Sequence, residues 1–163
     1  MSNVLDVAQY ILTIAEKDGA DIEPMKLLKL TYIAYGWFTL SDDGRLFDQK
    51  IEAWRYGPVI PDLYHSIKKF KDKPIIAKIG DANNLTENKK NWISKIYRLY
   101  KRYNGLQLSS MTHKENTPWS RVYHDGFSFS NIEIPDNIIK QYYRKLYEKA
   151  RARAKARARA NQY

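Results

Sequence analysis

His113, Glu115 and the pair His124-Asp125 are the residues of this chain whose types could perform acid–base chemistry. A histidine beside a carboxylate can exchange protons with a substrate when both groups line a cleft. No nucleophile elbow, phosphate-binding loop or His-Glu-x-x-His motif accompanies these residues. We therefore predict no catalytic residue, and we interpret His113 and Glu115 as groups that order a loop through hydrogen bonds. A hydrolase that uses these two residues is an alternative for an activity assay to decide.

The chain offers few ligands for a metal ion. Its three histidines are His65, His113 and His124, and all three would have to converge to form even a minimal zinc site. Cysteine is absent, so neither a thiolate site nor a disulfide framework can form. We predict no bound metal and no cofactor.

A short stiff segment rich in aromatic residues is the strongest candidate for a binding site. In Tyr56-Gly57-Pro58-Val59-Ile60-Pro61 the two prolines fix φ, and the glycine permits a conformation that other residues avoid. The segment is predicted to form a rigid corner between a short strand and a helix. Trp54 and Tyr56 on its approach could present rings to a partner at a low entropic cost. Alternatively, both rings pack underneath and support the corner.

Helical periodicity and capping residues predict the elements that position these side chains. Helices are expected over Val4–Lys17, from Pro24 to about Leu40, from Pro61, from Thr86 to about Tyr103, from Thr117-Pro118 to Tyr123, and from near Pro135, with one helical turn over 108–111. Short strands are expected over 51–54 and 127–134, paired with each other. The predicted fold is mainly α, a compact single-domain bundle of about six helices with a short two-strand β-ribbon.

Most of the net charge of +10 lies at the C-terminal end. Six of the 28 basic residues follow Glu148 with no acidic residue among them, which leaves the first 148 residues with a net charge of +4. We predict a domain over 1–148 and a basic helical extension over 149–163, because alanine and arginine favour helices. An anionic partner could contact its cations Arg151, Arg153, Lys155, Arg157 and Arg159, or they could simply be solvated.

The N-terminal residues lack the basic and apolar regions of a secretion signal, and the longest apolar stretches are too short to span a bilayer. We expect a cytoplasmic protein that makes no contact with a membrane.

Three stretches together resemble the Panacea-domain family of antitoxins, which includes GepA-like and SocA-like proteins. The first is Met25-Lys26-Leu27-Leu28-Lys29-Leu30 continuing through Thr31-Tyr32-Ile33-Ala34-Tyr35-Gly36-Trp37. The second is Leu46-Phe47-Asp48 followed by Ile51-Glu52-Ala53-Trp54-Arg55 and the corner through Pro61. The third comprises Leu108-Ser109, Met111-Thr112-His113-Lys114-Glu115 and Pro118-Trp119. The Glu-Ala-Trp-x-Tyr-Gly-Pro-Val element is the most specific of these.

This resemblance implies a phage-associated or chromosomal antitoxin that binds a cognate toxin protein and neutralises it, or that presents the toxin to a protease. We predict that the partner is contacted by Tyr35, Trp54, Tyr56, Pro58, His113 and Trp119. Two other functions stay open at this stage. One is a nucleic-acid-binding regulator that uses the basic extension, although no DNA-reading motif is present. The other is a phage-encoded inhibitor of a host protein.

Overall fold

The computed structural model of the chain describes residues 2–124 and 132–162. Its helices are α1 Val4–Lys17, α2 Pro24–Phe38, α3 Pro61–Ile67, α4 Glu87–Tyr100, α5 Gly105–His113, α6 Pro118–Val122 and α7 Asp136–Ala160. Its strands are β1 Glu52–Trp54, β2 Gly57–Val59 and β3 Ile132–Glu133. The predicted mainly α fold is confirmed, with seven α-helices among the described residues where about six were expected.

Helix α2 lies at the centre of the molecule, as expected for a helix that is apolar on nearly every side. Its residues from Leu27 to Gly36 are all buried, and α1, α4, α5 and α7 pack around it. At Gly36 the missing side chain lets the ring of Tyr143 on α7 lie directly against the helix backbone. Helix α2 therefore connects the parts of the chain that carry the predicted contact residues.

Capping side chains explain where most helices begin. Asn3 caps α1, Glu23 precedes Pro24 at the start of α2, and Thr86 caps α4. The pair Thr117-Pro118 opens α6 as predicted. Four helices differ from the predictions. Helices α2, α4 and α6 end at Phe38, Tyr100 and Val122, earlier than expected, and the helical turn expected over 108–111 is the nine-residue helix α5. A reciprocal cap between Asn104 and Gln107 starts α5 earlier.

The small sheet is three-stranded and antiparallel, in the order β2-β1-β3, and not the two-strand ribbon predicted from the sequence. The predicted pairing of the later strand with 51–54 is found at Ile132–Glu133, and the part of that prediction over 127–131 lies outside the described residues. Strand β2 was missed because it contains Pro58. Strand β2 is one of the two edge strands of the described sheet, and at a sheet edge the missing N–H of a proline need not leave a neighbouring strand unpaired.

Helix α7 is a single 25-residue helix that runs through the predicted boundary at residue 148 without a break. Ile139 and Tyr143 are buried against the body, whereas every residue over 147–162 is exposed. The basic extension is therefore helical over 149–160 in this structure. Among the residues described, no helix has the length and apolarity needed to cross a membrane.

Candidate protein-binding surface

The stiff segment that follows β1 is a hairpin, and we call residues 54–61 the aromatic corner. Trp54 of β1 pairs with Gly57 of β2, so Arg55 and Tyr56 form the turn. Gly57 has a φ of +118°, in the region that only glycine adopts without strain. The prediction of a strand leading directly through a corner into a helix is corrected: a second strand intervenes before α3 begins at Pro61.

Two side chains from the neighbouring helices fix the backbone of this turn. The ammonium group of Lys29 donates to the carbonyl oxygens of Tyr56 (3.3 Å) and Pro58 (3.0 Å). The hydroxyl of Ser109 on α5 donates to the Tyr56 carbonyl oxygen as well (3.1 Å). Lys29 is only 3% exposed, and burial lowers the pKa of its ammonium group to about 8. The turn is therefore held from beneath by bonds to its backbone, independently of its side chains.

The side chain of Tyr56 projects from this fixed turn and is 66% exposed. The guanidinium group of Arg55 lies 5.5 Å from the centre of its ring, within the range of a cation–π contact. A large aromatic side chain on a rigid turn is a typical anchor for a protein partner, because little conformational freedom remains to be lost on binding.

Trp54, His113 and Trp119 form a half-buried layer beside this anchor. The indole N–H of Trp119 donates to the carbonyl oxygen of Trp54, and its ring lies edge-on to His113 at 5.5 Å. Trp119 also stacks on Tyr123, with ring centres 4.5 Å apart. His113 donates through Nδ1 to the carbonyl oxygen of Ser109. The structure thus brings together four of the six predicted contact residues, with Tyr56 outermost.

Pro58 and Tyr35, the other two predicted contact residues, are buried. Pro58 is buried in β2, an edge strand of the sheet, and its carbonyl oxygen accepts a hydrogen bond from Lys29. Tyr35 is 1% exposed, and its hydroxyl donates to Asp136 (2.6 Å) and accepts from Nε of Arg45 (2.9 Å). These positions give both residues a role in packing in this structure, because neither presents its side chain to solvent.

Tyr35→Phe should lower the free energy of unfolding by about 1–2 kcal/mol. It removes the hydroxyl group, and with it the charge-assisted hydrogen bonds to Asp136 at the start of α7 and to Arg45. Urea unfolding of the variant measures the loss. Tyr147→Phe, at a half-exposed tyrosine, is the control and should be neutral within about 0.5 kcal/mol. Equal stability of the two variants would show that the Tyr35–Asp136 contact contributes nothing.

A groove of about 490 Å³ opens beside the aromatic corner, and we call it the corner groove. Its floor is apolar and its aromatic walls include Trp54, Tyr56 and Tyr64. Its lining also includes the cations Lys29, Arg55, Lys68 and Lys71 and no acidic residue. A partner surface with an apolar side chain flanked by carboxylates would match this combination.

The described residues contain no group of three or more His, Asp or Glu side chains arranged to hold a metal ion. His113 bonds to Ser109 and packs on Trp119, while His65 is exposed beside Tyr64. Glu115 is exposed, and Asp125 of the His124-Asp125 pair lies outside the described residues. His113 thus bonds within its own helix α5 and packs on Trp119 of α6, and neither of these contacts is the loop-ordering hydrogen bond that the sequence predicted.

The model of the family described as "Antitoxin SocA-like, Panacea domain" matches residues 27–120, more than half of the chain. The chain belongs to this family. A curated relative, Antitoxin SocA of Caulobacter vibrioides (strain NA1000 / CB15N), is 28% identical over 152 residues, which cover 85% of this chain and 80% of that protein. No solved structure matches the chain.

The matched part of this Panacea domain contains the whole aromatic corner, Lys29 of α2 and the α5–α6 region that supports the corner. Sequence reasoning missed Lys29 because its partners are backbone carbonyls, which carry no signature of their own. The available signal was a lysine within a helix that is otherwise apolar all round. Helix α7 and its exposed cations, Arg151, Arg153, Lys155, Arg157 and Arg159, lie outside the matched range.

Proposed function

We propose that this Panacea domain is an antitoxin that neutralises a cognate toxin by direct protein–protein contact, with the aromatic corner as the contact surface. Membership of a family described as antitoxin and the relative named Antitoxin SocA support the class of function. The observation that carries the choice of surface is Tyr56, exposed on a turn whose backbone Lys29 and Ser109 fix. No chemical step is required, since occluding the toxin's active site suffices.

The chemistry of the corner groove indicates what the toxin should offer. An apolar floor with four cations and no lining acid favours a toxin surface that carries carboxylates around an apolar side chain. Arg55, Lys68 and Lys71 are exposed at this surface, so their contribution falls mainly on the rate of association and is screened by salt. The affinity itself depends more on the buried part of the contact around Tyr56 and Trp54.

The test uses the product of the neighbouring reading frame as the candidate toxin. Its expression alone should arrest growth, and co-expression of this chain should restore growth. Tyr56→Ala should weaken binding of the purified toxin by about 10–100-fold, as expected for an aromatic anchor, and should abolish rescue at low expression. Because only the backbone of Tyr56 bonds to Lys29 and Ser109, the truncation leaves the turn in place.

Ile76→Ala is the matched control, since Ile76 is a large apolar residue that is 90% exposed and lies outside the corner. It should bind the toxin as the unaltered chain does. Full binding and rescue by a Tyr56→Ala/Trp54→Ala double variant would remove the aromatic corner from the interface. Isothermal titration calorimetry measures the affinities, and denaturant unfolding shows that each variant is folded.

The same proteins separate steric neutralisation from delivery to a protease. Steric neutralisation requires that the purified chain suppresses the toxin's activity in a mixture that contains no protease. Delivery requires that suppression appears only when an energy-dependent protease is added, with loss of the toxin band. We expect the first outcome, because a rigid anchor beside a groove is sufficient to occlude a bound surface.

A further inference from the structure

A second apolar surface lies on another part of the molecule, between the C-terminal half of α4 and α7, and we call it the α4–α7 groove. Its volume is about 700 Å³. Its apolar lining consists of Trp37, Leu40, Trp92, Ile96, Leu99 and Tyr147. Leu99 is 62% exposed and Tyr147 is 50% exposed, although both are large apolar side chains. None of these residues belongs to the aromatic corner or its groove.

Basic residues border this groove and continue beyond it. Its lining contains three basic residues, Lys95, Arg144 and Arg151, and one acidic residue, Glu148. Spacings of seven, four and four residues place Arg144, Arg151, Lys155 and Arg159 on one face of α7. That face runs for about 22 Å at the helical rise of 1.5 Å per residue. The apolar groove therefore passes directly into a cationic stripe on the exposed extension.

We propose that the α4–α7 groove and this stripe bind an acidic amphipathic helix of a partner protein. Two helices that flank an apolar groove leave room for a third, whose apolar residues at i, i+3, i+4 and i+7 would cover Leu99 and Tyr147. Carboxylates further along the same helix would pair with Arg151, Lys155 and Arg159. A helix of about 15–20 residues has the length of the combined surface.

Charge disfavours a second copy of this chain as the occupant. The extension carries six cations over 149–159 and no acid, so two copies that met at this face would place like charges together. The groove is also unlike a platform for single-stranded nucleic acid, which uses free aromatic faces. Trp37 is engaged by Tyr143 and donates to Tyr100, Trp92 packs edge-on against Phe38, and the most exposed apolar residue of the lining is a leucine, Leu99.

The test uses the full chain and a fluorescent synthetic peptide of about 18 residues, with leucines on one helical face and glutamates on the other. The same peptide with lysine in place of glutamate, and an oligouridine of similar length, are the competing probes. Anisotropy should show the acidic peptide binding at least about 10-fold more tightly than either of the others. Leu99→Asp combined with Tyr147→Asp should weaken that binding at least about 10-fold, and both side chains are exposed enough for the fold to survive.

Two charge-matched variants make the test specific to one face of α7. Arg151→Ala/Arg159→Ala removes two cations from the stripe, while Arg153→Ala/Arg157→Ala removes two from the opposite face. The first should weaken the binding of the acidic peptide about 5–10-fold at low salt, and the second by less than about twofold, because only the first pair lies on the face of α7 that it shares with the groove residue Arg144. Equal losses, tighter binding of oligouridine, or no effect of the aspartate variant would each overturn the proposal.

The proposals for this surface and for the aromatic corner can be tested independently of each other. Tyr56→Ala should leave binding of the acidic peptide unchanged, and the aspartate variant should keep the toxin affinity that the corner provides. A loss of peptide binding in Tyr56→Ala would also contradict the inference, because it would place the peptide at the corner.

Discussion

Gly36→Ala should destabilise this protein by about 3 kcal/mol or more, although the same change in most helices is stabilising by about 0.5–1 kcal/mol. A β-carbon on residue 36 would clash with ring atoms Cε2, Cζ and Cδ2 of Tyr143, well inside van der Waals contact. The ring cannot easily move aside, since Trp37 packs on it at 5.2 Å and Tyr32 at 6.4 Å. The added methyl group would therefore push α7 away from α2.

Chemical denaturation measures the loss, and a double-mutant cycle identifies its cause. Tyr143→Ala alone removes a buried ring and costs about 3–5 kcal/mol. Gly36→Ala added to Tyr143→Ala should then cost nothing further, because the methyl group enters the space that the ring leaves. Gly44→Ala, where φ is +77° and no atom lies within 4 Å, is the control and should cost only about 1 kcal/mol. Additive losses at residues 36 and 143 would contradict the packing argument.

The helices could be predicted from the sequence because their signals are local. The cap Asn3 and the apolar spacing of 4–17 give the bounds of α1 as the structure has them. The Ala/Arg alternation that follows residue 150 was correctly interpreted as helix on intrinsic propensity. The mainly α fold follows from these segments without knowledge of their packing.

The candidate surface could be predicted only in part, because it depends on contacts between distant segments. Trp54, Tyr56, His113 and Trp119 were identified as types suited to binding, and the structure brings them together. Tyr35 lies in α2, whose apolar character on nearly every side favours burial, but the bond of its hydroxyl to Asp136 could not be predicted because that partner lies 101 residues away. The α4–α7 groove was not predicted either. It forms where residues of three helices meet, and no local sequence pattern in any one of them indicates that this part of its surface stays uncovered.

Lys29 should make the stability of the protein depend on pH in the opposite sense to a lysine whose ammonium group gains a salt-bridge partner on folding. Its ammonium group is buried, bonds to two carbonyl oxygens and has no carboxylate partner among the described residues. Burial lowers its pKa from 10.5 to about 8 in the folded chain. Between pH 8 and pH 10.5 the unfolded chain therefore binds more protons than the folded one, and stability rises with pH.

Relative to Lys29→Met, the wild type should gain about 2 kcal/mol in free energy of unfolding between pH 7 and pH 9.5. The variant is the proper reference because buried tyrosines with raised pKa values, such as Tyr97 at about 12, favour unfolding at high pH in both proteins. Lys68→Met, at an exposed lysine of the corner groove, controls for the loss of one positive charge and should follow the wild type.

Deprotonation should leave the aromatic corner intact over this range. A neutral amine retains two N–H donors, which is the number that the carbonyl oxygens of Tyr56 and Pro58 require. Toxin affinity should therefore change between pH 7 and pH 9.5 no more in the wild type than in Lys68→Met. Lys29→Met should bind the toxin more weakly at both pH values, because the turn loses the two hydrogen bonds that Lys29 donates to it. A stability difference between wild type and Lys29→Met that stays constant with pH would show that this lysine is hydrated, and the support assigned to it beneath the turn would be wrong.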